Sequence, residues 1–381
     1  MSARPLRVAH VTTVDMSLAL LLATELRVDV EAGFDTFGLS APGPYVPKVE
    51  ALGVRHVPVA SLTRTWDLRR DLAAAWELYR ALRNLDLDVL HTHTHKAGFL
   101  GRIAGRAAGV PVVVNTCHGL WARPDDRLAR RALVYAAEAF AAQFSHAELY
   151  QNDSDRQTLR RVVPAARALT VGNGIDLTRF RHDPVGRQRL RSEFGIGDGE
   201  VLVVGVGRRV AEKGIREFAE AARALAPRAR FVWAGPADAD KADHLVDDEQ
   251  GVEFIGYRDD MPAVYSALDV FVLPSYREGF SRSAMEAAAC GCALVLSDIR
   301  GCREIGVHGE HALFAPAADP RRLTAAIGQL LDDPSLRSRL AVNAATRARH
   351  EFDQRRVAAT SLAVYDLVAR RRGLRWAGPA P

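Results

Sequence analysis

Short apolar runs alternate with amphipathic stretches along almost the whole chain, the pattern of parallel strands covered by helices. In the first half the runs fall at 7–11, 55–59, 88–91, 112–115, 146–151 and 169–171. Segments of helical period lie between them at 68–85, 98–108 and 127–144. The second half repeats the plan, with strands predicted at 201–206, 230–233, 252–255, 270–273, 293–296 and 312–314. Its helices are predicted at 213–225, 260–267, 281–289 and 320–331. Both halves therefore read as doubly wound α/β domains, spanning 1–182 and 183–352, with the linker in the polar, Arg-rich stretch that leads to Val201. An amphipathic segment at 353–372 follows a complete second domain and is expected to pack back on the first, and 376–381 is expected to be disordered.

Composition narrows the class. A chain of 381 residues has room for two domains, and 48% hydrophobic with 25% charged residues is the mix of a soluble globular protein. A net charge of +5 suits anionic partners without requiring nucleic acid. No window has the apolar length of a signal peptide or a membrane span, so a cytoplasmic protein is expected, with association at the inner membrane face left open. Cys290, Cys292 and Cys302 cluster, but their spacing is not that of a tetrahedral zinc site, and reduced structural thiols are expected for them and for Cys117.

The chemistry concentrates at predicted strand ends, where open α/β sheets bind ligands. After the 201–206 strand, Gly207-Arg208-Arg209-Val210-Ala211-Glu212-Lys213-Gly214 is a poor dinucleotide fingerprint, because Val210 stands where a small residue is needed. The turn instead offers two cations, Arg208 and Lys213, suited to a diphosphate leaving group. After the 270–273 strand come Glu278 and Glu286 on either side of a turn and helix start, which suits a ligand with hydroxyls flanking its phosphates, as in a nucleotide sugar. Ser283-Ala284-Met285-Glu286 equally fits a capping box, and Glu278 an ordinary loop acid. His118 follows the 112–115 strand. His91, His93 and His95 would share one face of a strand and could hold a metal, but the strand is expected to end near His91, which favours a polar loop. Asp238-Ala239-Asp240 and Asp86-Leu87-Asp88 have the look of D-x-D metal-diphosphate grips, and loop acids are favoured for both.

Taken together, these pieces resemble the family 4 retaining glycosyltransferases of the GT-B fold, two Rossmann-like doubly wound domains facing across a cleft. The matching residues are Gly207-Arg208 with Glu212-Lys213-Gly214, Phe254-Ile255-Gly256, Leu268-Asp269-Val270-Phe271-Val272-Leu273-Pro274-Ser275, the Glu278 and Glu286 pair, the stretch 291–298, and Asn173-Gly174-Ile175-Asp176. The resemblance implies that Arg208 and Lys213 bind the donor diphosphate and Glu286 the ribose. It implies that Glu278, with Gly279, Phe280 and Ser281, holds the donor sugar, which His118 faces. No cofactor or metal is then expected; a nucleotide-diphosphate sugar is the co-substrate.

His91-Thr92-His93-Thr94-His95-Lys96-Ala97-Gly98 and Thr116-Cys117-His118-Gly119-Leu120 are similar to the branch that builds capsular and surface polysaccharides on a polyprenyl-diphosphate carrier. That implies an acceptor site in the first domain, with Asp15 and Lys96 as its candidate residues. Thr12-Thr13-Val14-Asp15-Met16-Ser17 departs from the Gly-Gly turn of many members, and Cys292-Ala293 from a common Pro-containing pair. Transfer to a soluble small molecule, and nucleotide-sugar binding without catalysis, are the competing readings.

Overall fold

The computed structural model describes residues 4–122, 126–197, 199–238, 244 and 250–374. Two compact units emerge, one of Met1–Gly172 with Gln354–Pro381 and one of Asn173–Asp353. Each is built on a single parallel sheet.

In the first unit the strands are β1 (Arg7–Val14), β2 (Asp35–Ala41), β3 (Arg55–Pro58), β4 (Val89–His93), β5 (Val112–Cys117), β6 (Ala147–Tyr150) and β7 (Ala168–Thr170), in the order β3-β2-β1-β4-β5-β6-β7. The order reverses between β1 and β4, which makes their carboxyl ends the natural ligand position of this sheet. Strand β2 was not anticipated. Gly38 and Ser40 interrupt its apolar run, yet Gly38 is needed because a Cβ there would stand 2.9 Å from Leu18 Cδ1. The Gln354–Arg371 helix belongs to this unit, where Val364, Tyr365, Val368 and Ala369 pack on Val8, Val89, Val112 and Val114.

In the second unit β8 (Leu202–Val206), β9 (Arg230–Ala234), β10 (Glu253–Gly256), β11 (Val270–Leu273), β12 (Ala293–Ser297) and β13 (Leu313–Ala315) run in the order β10-β9-β8-β11-β12-β13. The switch point lies between β8 and β11. The units part at Gly172 and Asn173 rather than at 182 and 183. The expected linker is instead structured: Ile175, Phe180 and Leu190 enter the core of the second unit. The Pro184–Glu193 helix is tied down by Arg187 and Arg191, which hold the two oxygens of Asp269 at 2.8 and 3.1 Å. The tail expected to be disordered, 376–381, lies outside the described residues.

Candidate functional site

The turn after β8 and the turn after β11 meet at the switch point because Gly214 lets them. Gly214 has φ +72°, and a Cβ on it would stand 2.2 Å from the carbonyl oxygen of Pro274. Only glycine takes this conformation at that approach without strain. The contact is fixed by the amide of Tyr276, which donates to the carbonyl of Glu212 at 2.9 Å. Lys213, one residue before Gly214, is thereby delivered to the second turn, where its Nζ donates to Glu278 Oε1 at 2.6 Å. Both side chains are largely buried.

Arg208 leaves β8 on the same turn and is half-exposed. It pairs with Asp238 and approaches Glu212 Oε1 at 3.6 Å. Asp238 is a loop acid, as expected, and serves as the partner of a cation; Asp240 lies outside the described residues. Of the two expected cations, each already meets a carboxylate, and an incoming diphosphate would compete with Glu278 and Asp238 for them.

Gly279 and buried Phe280 continue the second turn, and Ser281 caps the Arg282–Ala289 helix by accepting from the amide of Ala284 at 3.3 Å. The capping box centred on Ser283 is not formed. Glu286 sits inside the helix, and its Oε2 accepts from the buried Tyr265 hydroxyl at 3.0 Å. Burial pushes the Glu286 carboxyl above its ordinary range, with Arg282 and the Tyr265 hydroxyl opposing. A part-buried carboxylate with one neutral donor has capacity left for further hydroxyl donors, as a ribose would supply. Gly301 closes the turn from behind: a Cβ there would stand 2.4 Å from the carbonyl oxygen of Glu278 and 2.6 Å from that of Gly279.

The first unit carries a second constellation. Strand β4 runs through His93, two residues beyond the expected end, so His91 and His93 lie buried on one face instead of in a polar loop. His95 opens the next helix and packs against Trp121. His10, paired in register with His91 across β1 and β4, joins the group. A continuous set of contacts results: Asp29 Oδ2 to His10 Nε2 at 2.7 Å, His10 Nδ1 to His93 Nε2 at 3.0 Å, and His93 Nδ1 to His118 Nε2 at 3.1 Å. Burial lowers the His10 pKa, but the hydrogen bond and charge of Asp29 outweigh it and raise the net value. His91 and His93 are held well below the ordinary range by burial and by neighbouring imidazoles. His10, Asp29 and Glu25 carried no motif; their only sequence signal is the one-turn spacing of the two acids.

The two candidate acceptor residues are structurally committed. Asp15 Oδ1 accepts from the amide of Met16 at 2.8 Å and Oδ2 from that of Tyr45 at 2.7 Å, tying the loop after β1 to the loop after β2. Lys96 is buried, donates to Asp71 Oδ1 at 2.5 Å and to the carbonyl of Thr65, and lies 5.1 Å from the centre of the Trp66 ring. An anionic acceptor would have to compete with Asp71 for its charge. The four cysteines are free thiols, and burial pushes Cys290 up to about 12.

Residues 21–179 match the model of Glycosyltransferase Family 4, and residues 200–333 that of Glycosyl transferases group 1. The chain is 29% identical to the N,N'-diacetylbacillosaminyl-diphospho-undecaprenol alpha-1,3-N-acetylgalactosaminyltransferase of Campylobacter jejuni, over 88% of this chain and 91% of that protein. It is 31% identical to the UDP-Gal:alpha-D-GlcNAc-diphosphoundecaprenol alpha-1,3-galactosyltransferase of Escherichia coli, over 65% of this chain and 67% of that one. Among solved structures, HepE of Anabaena in complex with UDP and glucose superposes with a TM-score of 0.81 at 17% identity, covering 95% of this chain and 99% of its own.

Proposed function

The chain belongs to the family 4 glycosyltransferases, with a group 1 second half, and from that premise we propose that it is a retaining enzyme using a nucleotide-diphosphate sugar to extend a polyprenyl-diphosphate-linked saccharide. The second unit holds the donor. Arg208 and Lys213 take the diphosphate, Glu286 the ribose hydroxyls, and Glu278 with Gly279, Phe280 and Ser281 the sugar. As the bond to the sugar breaks, charge grows on the diphosphate, and the two cations stabilise it without a metal ion. His118 of the first unit is assigned to the transferred sugar on the family resemblance alone.

The acceptor class rests on one observation, an exposed apolar face on the first unit. Leu68, Leu72 and Trp76 recur one turn apart on the Leu68–Asn84 helix, with exposures of 77%, 65% and 60%. The Leu128–Ala141 helix exposes Leu128, Leu133 and Phe140, and Trp66 and Trp121 lie 6.5 Å apart. Trp66, Phe99, Trp121 and Leu133 line an apolar cavity of about 300 Å³. Exposed Arg69, Arg70, Arg127 and Arg130 interleave with these groups. Aromatic and aliphatic groups among arginines suit the surface of an anionic bilayer and an isoprenoid chain. Among the described residues no helix is long and apolar enough to cross a membrane.

The test is transfer of radiolabel from UDP-, GDP- and dTDP-sugars in the presence of membranes bearing lipid-linked saccharide. Label in the organic extract supports the proposal. Label confined to water-soluble product identifies a small-molecule acceptor and overturns it.

A further inference from the structure

We propose that the first unit contains a divalent transition-metal site, formed by His10, Glu25, His91 and His93. Each residue offers one ligand atom, and the four atoms lie within 4.8 Å of one another. The inference is independent of what the donor or acceptor is.

The hydrogen bonds around the cluster decide which atoms face inward. His10 Nε2 is held by Asp29 and His91 Nε2 contacts Thr116 Oγ1 at 2.7 Å, while His93 Nδ1 meets His118. The remaining nitrogens, His10 Nδ1, His91 Nδ1 and His93 Nε2, converge. His10 Nδ1 and His93 Nε2 are 3.0 Å apart, and His91 Nδ1 and Glu25 Oε1 are 3.4 Å apart. Tetrahedral zinc with imidazole nitrogens places its ligand atoms about 3.3 Å from one another. A partner on the far nitrogen of each ligating imidazole is what metal sites use to fix tautomer and ring orientation.

Charge points the same way. Glu25 and Asp29 stand one turn apart on the Ala23–Glu31 helix, and Glu25 Oε1 is buried with no hydrogen-bond partner. The groups acting on these two carboxylates are His10, His91 and Ser361, and no lysine or arginine pairs with either among the described residues. Three nitrogens and one carboxylate oxygen select zinc or cobalt over magnesium or calcium. His91 Nδ1 now receives the Tyr365 hydroxyl at 2.6 Å, a contact the ion would replace.

The ion would act on the candidate sugar-facing residue. With His93 Nε2 on a metal, the His93 proton sits on Nδ1 and is donated to His118 Nε2. His118 then carries its own proton on Nδ1 and becomes a donor there. Without the ion, His10 Nε2–H donates to Asp29, His93 Nε2–H donates to His10 Nδ1 and His118 Nε2–H donates to His93 Nδ1, leaving His118 Nδ1 an acceptor.

The test is Co²⁺ titration of the chelator-stripped full chain, read by visible absorption and equilibrium dialysis, with Zn²⁺ competition. One Co²⁺ per chain with tetrahedral ligand-field bands is expected, bleached by Zn²⁺, with melting raised by about 5 °C or more at a hundredfold excess over Kd. Glu25→Gln, nearly isosteric, should weaken binding about 10–100-fold or more while its circular dichroism stays native. Absence of bands in the wild type, or equal binding by Glu25→Gln, overturns the proposal and leaves the cluster a hydrogen-bonded histidine relay.

Discussion

Lys213 and Glu278 give a variant set in which pairing and ligand binding make opposite forecasts. In Lys213→Ala the largely buried Glu278 loses its partner at 2.6 Å, and leaving a buried acceptor unmatched costs about 1–3 kcal/mol of stability. If Lys213 also neutralises the leaving diphosphate, turnover falls about 10²–10³-fold, equivalent to about 3–4 kcal/mol in the transition state. Nucleoside diphosphate affinity should fall as well, since a charge-assisted contact contributes about 1.5–3 kcal/mol. Adding Glu278→Gln removes the unmatched acid, so the double variant should recover most of the lost stability and none of the activity. Urea denaturation, calorimetry with UDP, GDP and dTDP, and turnover would be measured on the wild type, Lys213→Ala, Glu278→Gln and the double variant. Recovery of turnover in the double variant would refute the reasoning, because Lys213 would then serve only to neutralise Glu278.

Other expectations concern neighbouring groups. Because burial raises the folded-state pKa of Glu286, its ionisation opposes folding increasingly as pH rises from the ordinary carboxyl range to the raised value and fully above it; Glu286→Gln should melt higher than wild type at neutral pH, lose the advantage as pH falls from the raised value to the ordinary one, and bind nucleotide poorly. Equal melting across that range would contradict the assignment. Gly301→Ala forces a methyl against the carbonyls of Glu278 and Gly279 and should cost about 1–3 kcal/mol with a large loss of donor affinity, seen by thermal shift with ligand. Lys96→Ala strands Asp71 and should cost about 3–5 kcal/mol in denaturant unfolding, whereas an acceptor role would instead raise KM in a fully stable protein.

The sheets were legible wherever strands are rich in Val and Leu and bounded by turns, as at β8, β11 and β12. Strand β2 escaped altogether, and the end of β4 was missed. Strand β2 trades apolar residues for glycine where Leu18 fills the space over Gly38, and for serine where Ser40 bonds the Ala41 carbonyl and His56, which only the packed structure reveals. Strand β4 ends in His91 and His93, which read as polar but are buried because partners from β1, β5, the loop after β5 and the C-terminal helix satisfy their nitrogens. The same limit hid half of the chemistry. Arg208, Lys213, Glu278 and Glu286 could be named because they follow strand ends in a shared order. The pairings Lys213 with Glu278, Arg208 with Asp238, and Glu286 with Tyr265 join residues from different turns or helices. Lys96 shows the converse: the family resemblance singled it out, and its engagement by Asp71 and Thr65 is visible only in the structure.

The account is tested most directly by the anomeric configuration of the transferred sugar, read by proton NMR on product made from an α-linked nucleotide sugar and a diphospho-undecaprenol saccharide. An α-linked product, formed by the wild type and reduced at least about a hundredfold with Lys213→Ala, is the predicted result. A β-linked product, or full transfer by Lys213→Ala, would contradict it.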